Sequence, residues 1–265
     1  RGATTLHGRS GADHRGMSDA LQRAAEALHR AKCVIAVTGA GASAESGIPT
    51  FRDIGGLWER FPPDEYATLE GYLRDPHKVW EFWLELGRLT KDCKPNPGHH
   101  ALAELETMGK LKAIITQNID NLHQDAGSRT VIEFHGNTRR MRSIDNDYTI
   151  PLDPDNLPPT PPRCPLGTLM KPDVVMFGEM IPVEALLRSE ALVTEADAVI
   201  IVGTSAQVFP AAQIPYSAKE NGAFVIECNI EKTDFVHDGV TDAFIEGKCG
   251  ETLPALVEAL KNWGQ

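Results

Sequence analysis

Chemically capable residues concentrate in a few short runs of this 265-residue chain. Gly39-Ala40-Gly41-Ala42-Ser43-Ala44 follows five mostly apolar residues, Cys33 to Val37, and satisfies G-x-G-x-x-G/A. After a strand, such a run can bind a pyrophosphate. Gly39 permits a tight turn, Gly41 lets backbone N–H groups approach the anion, and the small Ala44 lets the next helix pack closely. The helix N-terminus adds a partial positive charge. Taken alone, the two glycines could equally make only a strand-to-helix turn. The next residues, Ser46 to Asp53 (S-G-I-P-T-F-R-D), cannot prolong a crossover helix, because Gly47 and Pro49 end it. Ordinary dinucleotide folds meet an acidic residue about twenty positions on, at a strand end. Glu59 stands at that distance, but G-G-L-W-E-R does not read as a strand end. The expectation is a loop folded over a dinucleotide, with Thr50, Phe51 and Arg52 at the ligand.

A second run, Thr116-Gln117-Asn118-Ile119-Asp120-Asn121-Leu122-His123, follows a predicted strand at its carboxyl end, where open α/β sheets bind ligands. Gln117, Asn118 and Asp120 offer donors and acceptors suited to ribose hydroxyls and a carboxamide. By itself such a run is more often a solvated turn. His135 ends another predicted strand before Gly136, so its imidazole can project over a cleft, and histidine can accept a proton near neutral pH. His99, His100 and His123 read as structural or surface residues.

The elements that must position these groups alternate. Ser18 is the predicted N-cap of a helix to about Ala31, with Leu21, Ala24, Ala25 and Leu28 as its apolar stripe. Short helices broken by Pro76 follow over 64–88, with Trp80, Phe82 and Trp83 on an apolar face, within a helical insertion at about 54–95. A helix at 97–111 leads to a strand at 112–116, and Val131–Phe134 forms a further strand. Residues 137–169, with D-N-D-Y, P-L-D-P-D and P-P-T-P-P, read as an irregular inserted lobe. Alternation resumes with strands at 171–177, 198–202 and 223–228, and helices at 183–195, 211–221 and 253–263. This order predicts an α/β fold, a doubly wound parallel Rossmann-like sheet with right-handed crossovers.

The net charge of −11 gives no global support for direct nucleic-acid or anionic-membrane binding. Five scattered cysteines fit a reduced, cytoplasmic protein without a disulfide framework. Met17 reads as a natural start, with residues 1–16 a leader or flexible extension and 17–265 the catalytic domain.

The string G-A-G-x-S-x-x-S-G-I-P-T-F-R, with T-Q-N-I-D and F-H-G-N, closely resembles the signatures of the sirtuins, NAD-dependent protein-lysine deacylases. The resemblance covers about Met17 to Trp263. It implies NAD as co-substrate, acyl-lysine proteins or peptides as partners, and acyl transfer to ADP-ribose with release of nicotinamide. It assigns His135 as general base, Gln117 and Asn118 to the nicotinamide ribose, and Ile119 and Asp120 to the carboxamide. Gly203-Thr204-Ser205 and Asn229 would bind the adenosine half, with Cys249 beside the base through its backbone. Lys171 to Glu179 resembles the segment that pairs with an extended peptide, Val175 and Phe177 lining the acyl tunnel beside Gly178 and Glu179. Val208 and Phe209 lie in the opposing loop. A NAD glycohydrolase or ADP-ribosyltransferase would share the NAD pocket without needing the peptide clamp, and a module that binds NAD without turnover would not need Asn118, Asp120 and His135.

Two departures stand out. Sirtuins commonly carry a structural zinc held by two cysteine pairs, and a closed tetrahedral site needs four ligands. Here only Cys164 occupies that region, with Leu166 and Arg140 to Asp145 where thiols could stand. Bacterial-type sirtuins of the branch that includes desuccinylases, which this chain otherwise resembles most, carry a Tyr and an Arg for acidic acyl groups. Trp83 and Leu86 occupy those positions, so a buried acyl carboxylate would lack its cation, and neutral acyl groups are expected. Metal analysis of the purified protein should find no stoichiometric zinc; one tightly bound equivalent would refute this reading.

Overall fold

The central strands send alternate residues to two apolar layers. In the computed structural model, which describes residues 10–49, 61–153, 155–156 and 158–263, Val34 and Ala36 face one layer while Ile35 and Val37 face the other. Ile200 and Val202 likewise oppose Val199 and Ile201. Strands buried on both faces belong between two helical layers. The sheet comprises Val34–Thr38 (β1), Leu111–Thr116 (β2), Val131–Glu133 (β3), Ala198–Val202 (β7), Phe224–Asn229 (β8) and Ala243–Glu246 (β9). Its order is β3-β2-β1-β7-β8-β9, and every pairing is parallel. Helices Ser10–Arg30, Pro97–Thr107 and Cys249–Lys261 cover one face; Val183–Glu195 and Gln213–Glu220 cover the other.

The chain reverses direction across the sheet between β1 and β7. That switch point, at the carboxyl ends of the strands, is where a doubly wound sheet opens a crevice. Thr50, Phe51, Arg52 and Glu59 lie outside the described residues.

The inserted lobe is more regular than the sequence predicts. Gly136–Ser143 (β4), Thr149–Pro151 (β5) and Met170–Val174 (β6) form a three-stranded antiparallel sheet in the order β5-β4-β6. The predicted strand at 171–177 therefore belongs to this lobe, not to the parallel sheet. Its Lys-Pro-Asp content suits an edge strand, where proline need not donate to a ladder. The helical insertion forms the lobe's other wall. Pro76 occupies the first turn of helix Pro76–Thr90, where its missing N–H is harmless, and Asp75 caps Lys78 N–H. Tyr72 and Trp80 are buried against Met141, Cys164, Met170 and Val174. Tyr72 Oη and Trp80 Nε1 both donate to Met170 O, at 2.8 and 3.0 Å.

Other boundaries also move. Ser18 lies inside helix Ser10–Arg30 rather than at its start, and the last helix begins at Cys249, four residues before the prediction. β9 went unread. All five cysteines are unpaired, and no described helix is long and apolar enough to cross a membrane. Among the described residues, no group of three or more His, Cys, Asp or Glu side chains could hold a metal.

Replacing Trp80 by Ala removes a fully buried indole and one of the two donors to Met170 O. The expected cost is about 3–5 kcal/mol in denaturant unfolding. A loss below about 1 kcal/mol would show that the lobe can close over the gap.

Candidate active site

Three strand ends are laced together at the switch point. Gly39 N–H donates to Val202 O at 3.0 Å, and Gly41 N–H to Gly203 O at 2.8 Å. A Cβ on Gly41 would lie 2.7 Å from Gly203 Cα, so a side chain there would force the loops apart. The two glycines thus serve contact between loops, and their N–H groups are spent within the protein rather than offered to a pyrophosphate. Ala44 is exposed, so it does not provide close helix packing; Ala42 and Ser43 are the buried members of the short 3-10 helix Ala40–Ser46. Gly47, in the left-handed region, ends that helix as predicted.

The loop after β2 is held from both sides. Asn118 Nδ2 donates to Gly39 O at 2.9 Å and to Ser43 Oγ at 3.2 Å, and Ser43 Oγ donates to Asp120 Oδ2 at 2.7 Å. Asp120 Oδ1 accepts Leu122 N–H at 2.9 Å. Burial pushes the Asp120 carboxyl up, while these hydrogen bonds oppose the shift. Ile119 O accepts both the N–H and hydroxyl of Thr138, tying the loop to β4. Gln117 Nε2 donates to Thr204 Oγ1 at 3.0 Å.

Two histidines read as structural or surface residues are buried beside this network. His99 Nδ1 accepts Asn96 N–H at 3.2 Å, so its proton sits on Nε2 and donates to Ser43 Oγ at 3.2 Å. Thr38 Oγ1 donates to Thr116 Oγ1, so His123 Nε2–H donates to Thr38. His123 Nδ1 is buried without a partner. The His99 and His123 rings lie 4.9 Å apart. Burial lowers their pKa values to about 4 and about 3. His100 is exposed, as a surface residue should be. One sequence signal for His99 was available: Asn96-Pro97-Gly98-His99 is a helix start, and Asn96 with His99 forms a reciprocal capping box.

His135 occupies the turn between β3 and β4. Its Nδ1 lies 3.1 Å from Gln117 O, which can only accept, so Nδ1 carries the proton and Nε2 presents a lone pair. Burial holds its pKa below the ordinary histidine value. Gly136 sits at φ +83°, and a Cβ there would meet Asp173 O at 2.0 Å, so the turn after His135 requires glycine.

The adenosine-side and peptide-side candidates are more internally engaged than the sequence suggests. Asn229 Nδ2 donates to Thr204 O at 3.0 Å and its Oδ1 accepts Ile230 N–H at 2.9 Å, so its amide braces the Gly203-Thr204-Ser205 loop. Cys249 is buried, its thiol pushed up to about 12 by burial and 3.2 Å from Ala42 O, which leaves no thiolate nucleophile. Val174 and Met176 face the lobe core while Phe177 is exposed, as alternation requires. However, Val175 N–H donates to His135 O and Phe177 N–H to Ala67 O, while Met176 N–H goes to Glu179 Oε2. Those N–H groups are not free for an incoming strand, and Met176 O and Phe177 O already accept Glu179 N–H and Leu69 N–H. Val208 and Phe209 are exposed, as a clamping loop requires. Glu179 is nearly buried by contacts to Met176 N–H, Arg142 and Lys171, and presents no side chain to a peptide.

Amides, hydroxyls and a carboxylate at the ends of β1, β2, β7 and β8, with a positioned imidazole, define a nucleotide-dependent enzyme site, and this donor set fits the riboses and carboxamide of NAD. The Sir2 family profile matches residues 39–210, and the chain belongs to that family. An NAD-dependent protein deacylase of Thermococcus kodakarensis is 49% identical over 254 residues, covering 91% of this chain and 96% of the relative. A crystal structure of a Sir2 homolog–NAD complex superposes with a TM-score of 0.83 at 38% identity, covering 97% of this chain and 96% of the other. Sir2Af2 bound to a myristoylated histone peptide matches with a TM-score of 0.74 at 40% identity, over 92% and 97% of the two chains.

The buried histidines make stability depend on pH. Unfolded imidazole titrates near 6.5, whereas the folded protein keeps these rings neutral down to about 4 and about 3. Their contribution is complete above 6.5 and declines as pH falls, by about 1.4 kcal/mol per pH unit for each ring. Urea unfolding should therefore show falling stability from pH 6.5 to 5, with a shallower slope in His123→Asn. A flat profile would mean that the folded protein protonates both rings.

Proposed function

We propose that this chain, an NAD-dependent protein deacylase of the Sir2 family, moves neutral acyl groups from lysine side chains to ADP-ribose with release of nicotinamide. Acetyl is the first expected group, and a longer apolar chain the second. The observation that carries the reading is the orientation of His135, whose Nδ1–H is fixed on Gln117 O so that Nε2 can take a proton. Bound NAD supplies the electrophilic ribose carbon and the nicotinamide leaving group. Asn118 and Asp120 would orient the nicotinamide half, and their mutual contacts through Ser43 limit how far either can turn. Gln117 would meet the nicotinamide ribose, and Ser205 with the Asn229-braced loop the adenosine half. Phe177, Val208 and Phe209 would grip the acylated peptide, excluding water from the reacting bond.

Acyl preference rests on Trp83 and Leu86, which pack with Phe61, Tyr66 and Phe82. An apolar wall there accepts methylenes and disfavours a carboxylate by several kcal/mol, as an order of magnitude. We place the chain nearest the desuccinylase-containing branch, without its acidic-acyl pair. Its partners would be acyl-lysine proteins or peptides in a reducing, cytoplasmic setting, with no direct role for nucleic acid or membrane. The domain proper would span 17–265.

Mass spectrometry after incubation with NAD and an acetyl-lysine peptide should find free lysine peptide, nicotinamide and O-acetyl-ADP-ribose. Nicotinamide and ADP-ribose with an unchanged peptide would instead indicate a glycohydrolase. His135→Ala should lose deacylation by roughly 100-fold or more while retaining NAD binding. In the unaltered protein, activity should fall only below about pH 6.5, because a lowered pKa keeps Nε2 unprotonated to lower pH.

A further inference from the structure

We propose that a ladder of six alternating charges, ending in the buried Lys171–Glu179 pair, positions the peptide-clamping segment, Lys171 and Glu179 acting as positioning residues. The proposal rests on the deacylase reading, since the segment matters only if acyl peptides bind there.

The ladder begins at Glu133, the last residue of β3, and crosses the lobe. Arg140 of β4 pairs with Glu133 and, through Nε, with Asp173 Oδ2 of β6 at 3.0 Å. Arg142 of β4 reaches Asp173 Oδ1 at 3.5 Å and Glu179 Oε1 at 3.3 Å. Lys171 of β6 closes the series, its Nζ 2.9 Å from Glu179 Oε2. Three cations and three carboxylates alternate, so no group lacks an opposite neighbour.

Burial is deepest at the end of the series, although Glu133 and Asp173, 18% and 22% exposed, are more covered than either arginine. The Arg140 and Arg142 side chains are 37% and 39% exposed, those of Glu179 and Lys171 9% and 1%. The outer pairs are solvent-screened and contribute little to stability. A buried ammonium is tolerated only when its donors are satisfied. Lys171 meets that condition with three acceptors: Glu179 Oε2, Val174 O at 2.5 Å and Pro172 O at 3.3 Å. Burying this pair offers no clear stability gain over apolar residues, whereas removing one partner leaves a buried charge unpaired. What the pair does provide is geometry. Glu179 Oε2 also accepts Met176 N–H at 2.7 Å, closing a turn over Met176-Phe177-Gly178-Glu179, with Glu179 N–H returning to Met176 O at 3.0 Å. This turn carries Phe177, a residue that is 60% exposed. The same chain of charges leads back to β3, two residues before His135.

The test compares Glu179→Met with the charge-free double variant Lys171→Met/Glu179→Met. Each is assayed for Tm and for separate KM values toward an acetyl-lysine peptide and NAD. Glu179→Met, which leaves Met176 N–H without its acceptor, should raise peptide KM roughly tenfold, with NAD KM almost unchanged. The double variant should recover Tm relative to Glu179→Met yet keep the raised peptide KM, since the unpaired charge is gone but Met176 N–H still has no acceptor. A merely structural pair would restore KM together with Tm, and that result would overturn the proposal. Folded variants with unchanged peptide KM, or with peptide and NAD KM rising in parallel, would do the same. Failure of the deacylase reading would register separately, as an unaltered protein that leaves the acetyl peptide intact.

Discussion

The contact on which the site depends is backbone against backbone. The loops leaving β1 and β7 meet at Gly41 and Gly203, with no side chain between them and a 2.8 Å hydrogen bond across the junction. The close approach draws the carboxyl ends of neighbouring strands together at the switch point. Gly39 joins it through Val202 O, and Asn118 then spans from the β2 loop to Gly39 O. Substituting Ala at Gly41 would bring a methyl to 2.7 Å from Gly203 Cα, and all three loops would have to shift. The glycine motif therefore builds the floor of the crevice, and the candidate site side chain Asn118 is fixed to that floor.

Those side chains are ordered by a directed series of hydrogen bonds. Asn96 N–H, His99, Ser43 and Asp120 follow one another, each donor finding the next acceptor. Ser43 is saturated, since it accepts from His99 and Asn118 and donates to Asp120. A protonated His99 would have hydrogens on both ring nitrogens and would turn Nδ1 against Asn96 N–H. The series works only with a neutral ring, and its burial enforces that state. Pre-organisation of this kind holds Asn118 and Asp120 in place before any ligand arrives.

The fold was legible wherever burial on both faces or helical periodicity dominated. Ala198–Val202 is an uninterrupted apolar, β-branched run, and Val183–Glu195 carries a clear amphipathic repeat; both match their predicted limits. Signals failed where tertiary contacts override local ones. Gly250 and Pro254 argue for a late start to the last helix, but Glu45 accepts Gly250 N–H at 2.7 Å and supports an earlier first turn. Ala243–Glu246 is too short to announce itself and exists by pairing with β8. Motif residues such as Gly41 and His135 could be located in the sequence, but not their partners. That Glu179 faces Lys171 and that Asn229 braces Thr204 are facts of long-range packing. The lobe's sheet was hidden by its proline and aspartate content, which suits edges and turns equally well.

The lobe and the candidate base form one mechanical unit. β4 leaves the main sheet directly from His135-Gly136, and β6 continues into Val175, whose N–H returns to His135 O at 2.9 Å. Gly136 has Asp173 O where a side chain would stand, so β4 and β6 are already at their closest approach at that end. Sliding β6 against β4 would therefore pull on the carbonyl of His135, while the imidazole stays tied to Gln117 O. The proposed clamping segment and the candidate base are thus joined through the backbone at Val175 and His135. Val208 and Phe209, the exposed residues of the proposed opposing loop, lie outside this unit, in neither β4 nor β6.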